Sequence, residues 1–380
     1  MRNFFRNIRK RRFSYESLVE VLIHKENILH NLEAFRHAAP QWQFAPVLKS
    51  NAYGHGLVEV ASILNADGDI PFFVIDSYYE ALILRNENIT KPLLIIGYTL
   101  PANISKSRLR EVAWTVGSTE SLENLVMEIH KPIRIHIKFD TGMHRQGILL
   151  NELQRVIELV KQNKDIYVEG ICSHFASSDE LDMVQTQNQI KAWNTLVEDW
   201  KKEFPNTKYY HVSNSAGTRY VGTIQANVGR LGLGLYGVDS CGTFAQVLKP
   251  VLEMKTRISS VKQIPQRALV GYGGTFRAPT DMTIATMPVG YAEGVDRRLS
   301  SKGSVLVNGI QCPIIGRVSM NITTIDVSNV RDISIGNEVT VISSNLQDSN
   351  TIIEWARVCG AIPHELLVHI PDRLRRAITE

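Results

Sequence analysis

The stretch 44–56 reads FAPVLKSNAYGHG: an apolar run delivers Lys49 into a polar turn that carries two glycines. An amine presented in this way can form a Schiff base with a carbonyl ligand, provided its surroundings hold it neutral. On its own a lysine at a strand end is most simply a solvated one, so the weight falls on the company it keeps. Four later apolar runs also end in polar groups. They give Asp140-Thr141-Gly142-Met143-His144-Arg145, then Ser173-His174-Phe175, then Ser213-Asn214-Ser215, then Arg230-Leu231-Gly232-Leu233-Gly234. Singly, either arginine is half of an ion pair, His174 is a core histidine and Ser215 is a helix cap. Jointly they offer an amine, two guanidinium groups, an imidazole, a hydroxyl and glycine-bearing turns.

The elements that must bring these groups together are readable from periodicity. Apolar strand-like runs near 44–49, 72–76, 93–97, 112–116, 133–139, 166–172, 209–213 and 226–230 alternate with helix-like stretches such as 119–129, 150–162 and 183–203. This alternation predicts a parallel sheet, and eight units in succession favour a closed (β/α)8 barrel. An open doubly wound sheet is the alternative. It would want a GxGxxG turn after its first strand, which KSNAYGHG is not. In a barrel the chemistry sits at the C-terminal ends of the strands, so the five polar strand ends would share one mouth. An amine for a Schiff base, hydroxyl and glycine amides for a phosphate, and arginines for anions are what pyridoxal 5'-phosphate requires.

Beyond residue 243 the texture changes to short strand-like runs separated by Gly, Pro, Asn and Asp, with Asn308-Gly309 a hairpin signal and one helix near 351–359. The expected organisation is α/β: a basic tail over 1–15, a (β/α)8 barrel over 16–243 and a mainly β domain over 244–380. The strand at 18–23 either opens the barrel segment or crosses over to join the last of these. A helix is expected at 25–38.

Composition narrows the class. The chain has 380 residues, 44% hydrophobic and 21% charged, values of a globular protein long enough for two cores. Its net charge is +4, but residues 1–12, MRNFFRNIRKRR, hold six basic residues and no acid, which leaves the remainder near −2. The basic excess therefore describes a tail and argues against a nucleic-acid partner. Met1, Phe4, Phe5 and Ile8 have helical spacing, so the tail suits at most weak contact with a membrane surface, not stable insertion. Cys172, Cys241, Cys312 and Cys359 lie far apart without zinc-ligand spacing. With no secretory signal pattern, free thiols, no metal site and a cytoplasmic location are expected.

Eight motifs then resemble the bacterial alanine racemases: VLKSNAYGHG (47–56), KFDTGMHRQG (138–147), CSHFASSDE (172–180), SNSAG (213–217), GRLGLGLYG (229–237), VGYGGTF (270–276), GYAEG (290–294) and GRVSMN (316–321). They follow the family's order over almost the whole chain after residue 18. The resemblance implies a (β/α)8 barrel with a C-terminal β domain, pyridoxal phosphate as cofactor, and a head-to-tail homodimer with composite active sites. It also implies interconversion of L- and D-alanine by two bases, supplying D-alanine for peptidoglycan. By the same resemblance Lys49 carries the cofactor and is one base, and Tyr272 is the opposite base from the other subunit. Arg230 faces the pyridine nitrogen with His174 behind it. Tyr53, Ser215, Gly232 and Leu233 contact the phosphate. Arg145, Met320 and the gate residue Tyr291 meet the amino-acid substrate, and Lys138 matches a lysine often carbamylated.

Three positions depart from the family pattern. His364 stands where a phosphate-contacting tyrosine is common, Asn321 where Met-Asp is usual, and Glu293 where Asp is usual. The expectations are therefore His364 as a substitute phosphate contact and Asn321 as an altered substrate-end residue. The alternatives are a serine or broad-specificity racemase, a decarboxylase of the same architecture, and a non-catalytic cofactor carrier. A decarboxylase would want an acid where Arg230 stands and a cysteine from the second subunit. A carrier would lack the β domain.

Overall fold

The computed structural model describes residues 16–180, 182–244 and 246–380. The basic tail, with its proposed helical face, lies outside them. The chain divides into two compact units. One is built on Ile23–Val251 with the last three residues, and the other on Leu252–Ala377 with the segment up to Leu22.

Among the described residues the first unit holds eight parallel barrel strands: β2 (Gln43–Pro46), β3 (Phe73–Ile75), β4 (Leu93–Ile95), β5 (Val112–Val116), β6 (Ile133–Asp140), β7 (Ile166–Cys172), β8 (Tyr209–His211) and β9 (Val228–Leu231); β1 (Glu20–His24) precedes them, and the two-residue strand Ile148–Leu149 pairs with β6 off this path. Strands β3 to β8 pair in sequence, and β9 pairs with β2. The circle closes through the Val47–Val74 bridge and the Leu48 N–H to Val74 O bond on one side. On the other it closes through Asn227 N–H to Tyr210 O and Arg230 N–H to Ser213 O. Strands such as FVI and LLI are buried throughout, because a parallel sheet inside a ring of helices has no wet face.

The helices follow from their apolar stripes. Helix α1 (Lys25–Ala38) buries Ile28, Leu32 and Phe35. Then come α2 (Leu57–Leu64), α3 (Tyr78–Asn86), α4 (Pro101–Lys106), α5 (Thr119–Glu128) and α6 (Leu153–Gln162). In α7 (Val184–Glu203) the buried residues Thr186, Gln189, Ile190, Trp193, Leu196, Val197 and Trp200 recur at helical spacing. Helix α3 starts on a capping box in which Ser77 Oγ accepts from Glu80 N–H and Glu80 returns to Ser77 N–H. After β8 and β9 only short 3-10 turns occur, Ala216–Tyr220 and Leu233–Tyr236. The unit runs on to Val251 because residues past 243 pack back on α1. Phe244 stacks 4.4 Å from Phe35, and Asn31 exchanges hydrogen bonds with the Lys249 backbone.

The second unit is mainly β. A six-stranded sheet takes in β1, placed between the strands Leu252–Arg257 and Arg376–Thr379. A three-stranded sheet and a two-stranded one accompany it. Asn308 and Gly309, both at positive φ, turn the hairpin Ser304–Val307 to Ile310–Pro313. The helices Ile352–Cys359 and Pro363–Val368 close the unit.

Among the described residues no helix is long and apolar enough to cross a membrane, no cluster of His, Cys, Asp or Glu suits a metal, and the four cysteines are free.

Candidate active site

Lys49 follows β2 at the barrel mouth, half-buried, above the buried pair Val47 and Leu48. Tyr236 anchors this strand end by donating its hydroxyl to Val47 O at 2.8 Å. After Lys49 the chain makes one turn of left-handed helix: Ser50, Asn51, Ala52 and Tyr53 all have φ between 51° and 56°. Three contacts hold it. Glu80 accepts from Ser50 N–H at 2.8 Å, Asn51 Oδ1 accepts from Leu57 N–H at 2.8 Å and so caps α2, and His55 Nδ1 lies 3.0 Å from Ala52 O. The turn carries Tyr53 to the residues that follow β8 and β9. A Cβ placed on Gly232 would lie 3.1 Å from Tyr53 Oη and 3.9 Å from Ser215 Oγ. Tyr53, Ser215 and Gly232 therefore frame one small space.

This space is rich in donors. Ser215 Oγ accepts from Gly232 N–H at 3.0 Å and Gly234 N–H at 3.2 Å, which leaves its hydroxyl proton to donate. Leu233 opens a 3-10 turn, so its amide has no acceptor within that turn. Burial pushes the Tyr53 phenol up to about 12 against the opposing pull of Arg230, so it too remains a donor.

Arg230 lies beside this cradle, 8% exposed. Its Nη1 donates to His211 Nδ1 at 2.7 Å and to His211 O at 2.8 Å. Its Nη2 donates to Ser173 O at 2.8 Å, His174 Nδ1 at 2.9 Å and Val212 O at 3.1 Å. The Nε–H takes part in none of these bonds. His174 is held neutral, well below the usual histidine range, by burial and then by Arg230, Lys138, Arg145 and Lys49. Four cations thus converge on one imidazole. Burial also lowers Lys138, helped by Arg230 and Arg145 and opposed by Cys172 and Asp140. Arg145 is exposed at the rim, on a turn built by Asp140 Oδ1, which accepts from the amides of Gly142, Met143 and His144 at 2.8, 2.9 and 3.1 Å. From α7, Gln189 Nε2 donates to His174 O at 3.0 Å and its Oε1 accepts from Ala176 N–H at 2.9 Å.

The barrel therefore gathers Lys49, Tyr53, Lys138, Arg145, His174, Ser215, Arg230, Gly232 and Leu233 at one mouth. The remaining candidates belong to the β unit. Tyr272, Tyr291 and Met320 line a cavity there of about 710 Å³, with Arg297, Leu366 and His369. Tyr272 is 71% exposed, on a turn whose Gly271, Gly273 and Gly274 have positive φ. Asn321 donates to Glu293 Oε1 at 2.9 Å, and Arg373 donates to the same oxygen at 3.0 Å. The departures at 293 and 321 are thus one amide–carboxylate pair behind the Tyr291 turn. His364 is half-buried in the helix Pro363–Val368. Sequence reasoning missed His211, read only as part of a strand, and Glu80, which it did not single out. The Ser-x-x-Glu spacing of residues 77 and 80 was the available signal for the latter.

The residues present suit pyridoxal phosphate: an amine at a strand end, a donor-lined cradle that a single Cβ would fill, an arginine N–H outside the Arg230 network and an excess of positive charge for two anionic groups.

The comparisons agree with this chemistry. The family model described as alanine racemase, N-terminal domain matches residues 23–240, and the one described as alanine racemase, C-terminal domain matches 251–378. An alanine racemase of Carboxydothermus hydrogenoformans is 34% identical over 360 residues, 93% of this chain and 97% of its own length. One of Methanococcus maripaludis is 33% identical over 357 residues, covering 92% and 95%. Among solved structures, an alanine racemase from Bacillus anthracis with bound L-Ala-P matches with a TM-score of 0.88 at 29% identity, covering 97% of this chain and 96% of that one. The biosynthetic alanine racemase of Pseudomonas aeruginosa gives 0.85 at 26%, covering 96% and 100%.

Proposed function

This chain belongs to the alanine racemase family, and we propose on that premise how its own residues interconvert L- and D-alanine with pyridoxal phosphate. The observation that carries the reading is the barrel mouth, where Lys49, Lys138, Arg145 and Arg230 surround His174 beside the Gly232 cradle. When bound, the cofactor supplies a conjugated ring that spreads the electron pair left when Cα loses its proton. Lys49 binds it covalently. Tyr53, Ser215 and the Leu233 amide hold the phosphate, with His364 added to that shell. Arg230 donates its Nε–H to the ring nitrogen. A guanidinium is effectively always protonated and cannot hand over the proton, so the ring stays a weak electron sink and side chemistry is suppressed.

Arg145 binds the substrate carboxylate, with the Met320 backbone and Asn321 at the same end and Tyr291 at the entrance. Lys49 Nζ takes or returns the Cα proton on one face, and the partner subunit's Tyr272 does so on the other. Two bases on opposite faces invert the centre without turning the substrate. The lowered proton affinity of Lys138, caused first by burial, favours its reaction with carbon dioxide, and the resulting carbamate would hold Arg145. Carbon-13 labelling followed by NMR of the protein checks this, and a free amine at Lys138 would refute it.

The substrate is a small amino acid, and the working form is a homodimer. Tyr272 stands 71% exposed, open to a second copy of the chain. Mixing Lys49→Ala and Tyr272→Phe variants tests the arrangement. Random re-pairing should restore up to roughly a quarter of the activity, because half the dimers are mixed and each has one intact site. No recovery would place both bases in one chain. The product serves peptidoglycan and the enzyme acts in the cytoplasm, which cell fractionation checks. The direct test is incubation with L-alanine and chiral separation, alongside borohydride trapping of the cofactor. Trapping at a residue other than Lys49 would overturn the assignment.

A further inference from the structure

We propose that His211, His136 and Glu169 form a buried hydrogen-bond relay of fixed tautomers that positions Arg230. The deduction starts from Arg230, whose guanidinium only donates. Its Nη1 lies 2.7 Å from His211 Nδ1, so that nitrogen is bare. His211 is fully buried beside a cation, and both facts hold it neutral, so its one proton is on Nε2. That nitrogen is 2.7 Å from His136 Nδ1, which must then be the acceptor. His136, buried and likewise lowered by burial first, keeps its proton on Nε2, 3.4 Å from Glu169 Oε2. Glu169 also meets Arg134, at 3.5 Å, and Arg134 pairs with Glu111 at 2.9 Å. The order cannot run backwards, because an arginine cannot accept at its head.

The barrel is shaped around this line. A Cβ on Gly170 would lie 2.8 Å from His136 Nδ1 and 2.9 Å from Tyr209 O, so only glycine leaves room for the ring. The pairing of β6 with β7 shifts register between Ile135 and His136, which helps set the ring's placement. Phe72 stands edge-on to His136 at 5.4 Å and Tyr209 stacks on it at 5.9 Å. Neither imidazole touches the cradle. Both act through Arg230, and the inference rests on the reading that Arg230 meets the cofactor's ring nitrogen. With His211 as a fixed acceptor, Nη1 and Nη2 are fully engaged and Nε–H is the one donor left. If His136 is lost, the His211 Nε2–H has no acceptor. The ring can then swap its proton to Nδ1, which sets two donors face to face and displaces Arg230.

The test uses the holoenzyme labelled with nitrogen-15 histidine. Ring-nitrogen shifts should show protonated Nε2 and bare Nδ1 for His211 and His136, assigned with His136→Gln. Two variants probe the link to Arg230. His136→Phe removes the acceptor, whereas Gln offers an oxygen to His211 and an N–H to Glu169. We expect His136→Phe to raise by about tenfold the pyruvate formed per racemisation, with the KM for alanine within about twofold. In that side reaction alanine and pyridoxal phosphate become pyruvate and pyridoxamine phosphate. His136→Gln should stay within about threefold of the unaltered enzyme. A proton on His211 Nδ1, or equal partitioning in the Phe and Gln variants, would overturn the relay. If the unaltered protein does not racemise alanine, the functional reading fails, and the ring-nitrogen shifts of that sample still decide the relay.

Discussion

Gly232→Ala tests the cradle at its tightest point. The residue has φ −91°, so alanine brings no left-handed strain. Its Cβ would lie 3.1 Å from Tyr53 Oη, closer than such contacts normally run, but 3.9 Å from Ser215 Oγ, which is ordinary. Tyr53 must therefore yield by a few tenths of an ångström, and its hydroxyl leaves the space a phosphate would occupy. A hydrogen bond to a charged group contributes about 1.5–3 kcal/mol, which is about ten- to a hundredfold in affinity for the cofactor. The folded protein without cofactor should lose about 1–3 kcal/mol, since ψ −115° lies outside the regions that alanine favours. Equilibrium dialysis of the cofactor, beside thermal unfolding of the cofactor-free protein, reads both quantities. Tyr53→Phe should weaken binding by a similar factor. Because the two changes act on one contact, the double variant should be little worse than either single one. Fully additive losses, or unchanged affinity in Gly232→Ala, would show that Tyr53 does not hold the phosphate and refute the reasoning.

Other perturbations act on the same geometry. Burial alone would raise Asp140, but the amides of Gly142, His144 and Met143 outweigh it and hold the carboxyl below its usual range. The stability it contributes is therefore complete above the ordinary value of about 3.9 and disappears as pH falls through the folded value. Asp140→Asn should run below the unaltered protein at neutral pH and converge with it in acid, read by thermal midpoints across pH; parallel curves would exclude the role. Glu80→Ala removes acceptors from Ser50 and Asp76 amides. It should cost about 2–3 kcal/mol in denaturant unfolding and lower the yield of borohydride trapping at Lys49; loss of neither would make Glu80 a mere helix cap. Arg230→Glu should retain the cofactor, slow racemisation and increase pyruvate, and it should also reverse both tautomers of the relay, since an acceptor then faces His211 Nδ1. Unchanged turnover without pyruvate would contradict the role given to Arg230.

The barrel strands were legible because parallel strands buried on both faces leave unbroken apolar runs, such as residues 73–75 and 93–95. The polar residues after them were legible because strand ends carry the chemistry in this architecture. Asn308-Gly309 announced its hairpin through backbone preference alone. What lay hidden depends on contacts between residues distant in sequence. His136 sits mid-strand in IRIHIKF and His211 in YYH, and nothing local distinguishes them from ordinary core residues. Only the closed barrel brings them to 2.7 Å. Likewise Asn321 and Glu293 read as two separate departures from a pattern, whereas the fold makes them partners.

The left-handed turn after Lys49 was hidden for a different reason. Four successive non-glycine residues at φ near 50° cost about 1–2 kcal/mol each, and only Asn51 among them tolerates that region by preference. Local propensity therefore argues against the conformation that the chain adopts. What holds it comes from both sides: Glu80 from α3, the Asn51 cap on α2, His55 folded back on the turn, and glycines at 54 and 56 with φ of 81° and 102°. A right-handed turn would rotate Tyr53 in the opposite sense from Lys49. The left-handed one lets a single short segment reach two places, with the Lys49 charge felt at His174 and the Tyr53 hydroxyl over Gly232. Local strain at a functional site is expected where geometry matters more than local stability. Here it fixes the distance between the amine proposed to bind a carbonyl and the hydroxyl proposed to bind a phosphate, and on that reading the two groups must match the two ends of one rigid cofactor.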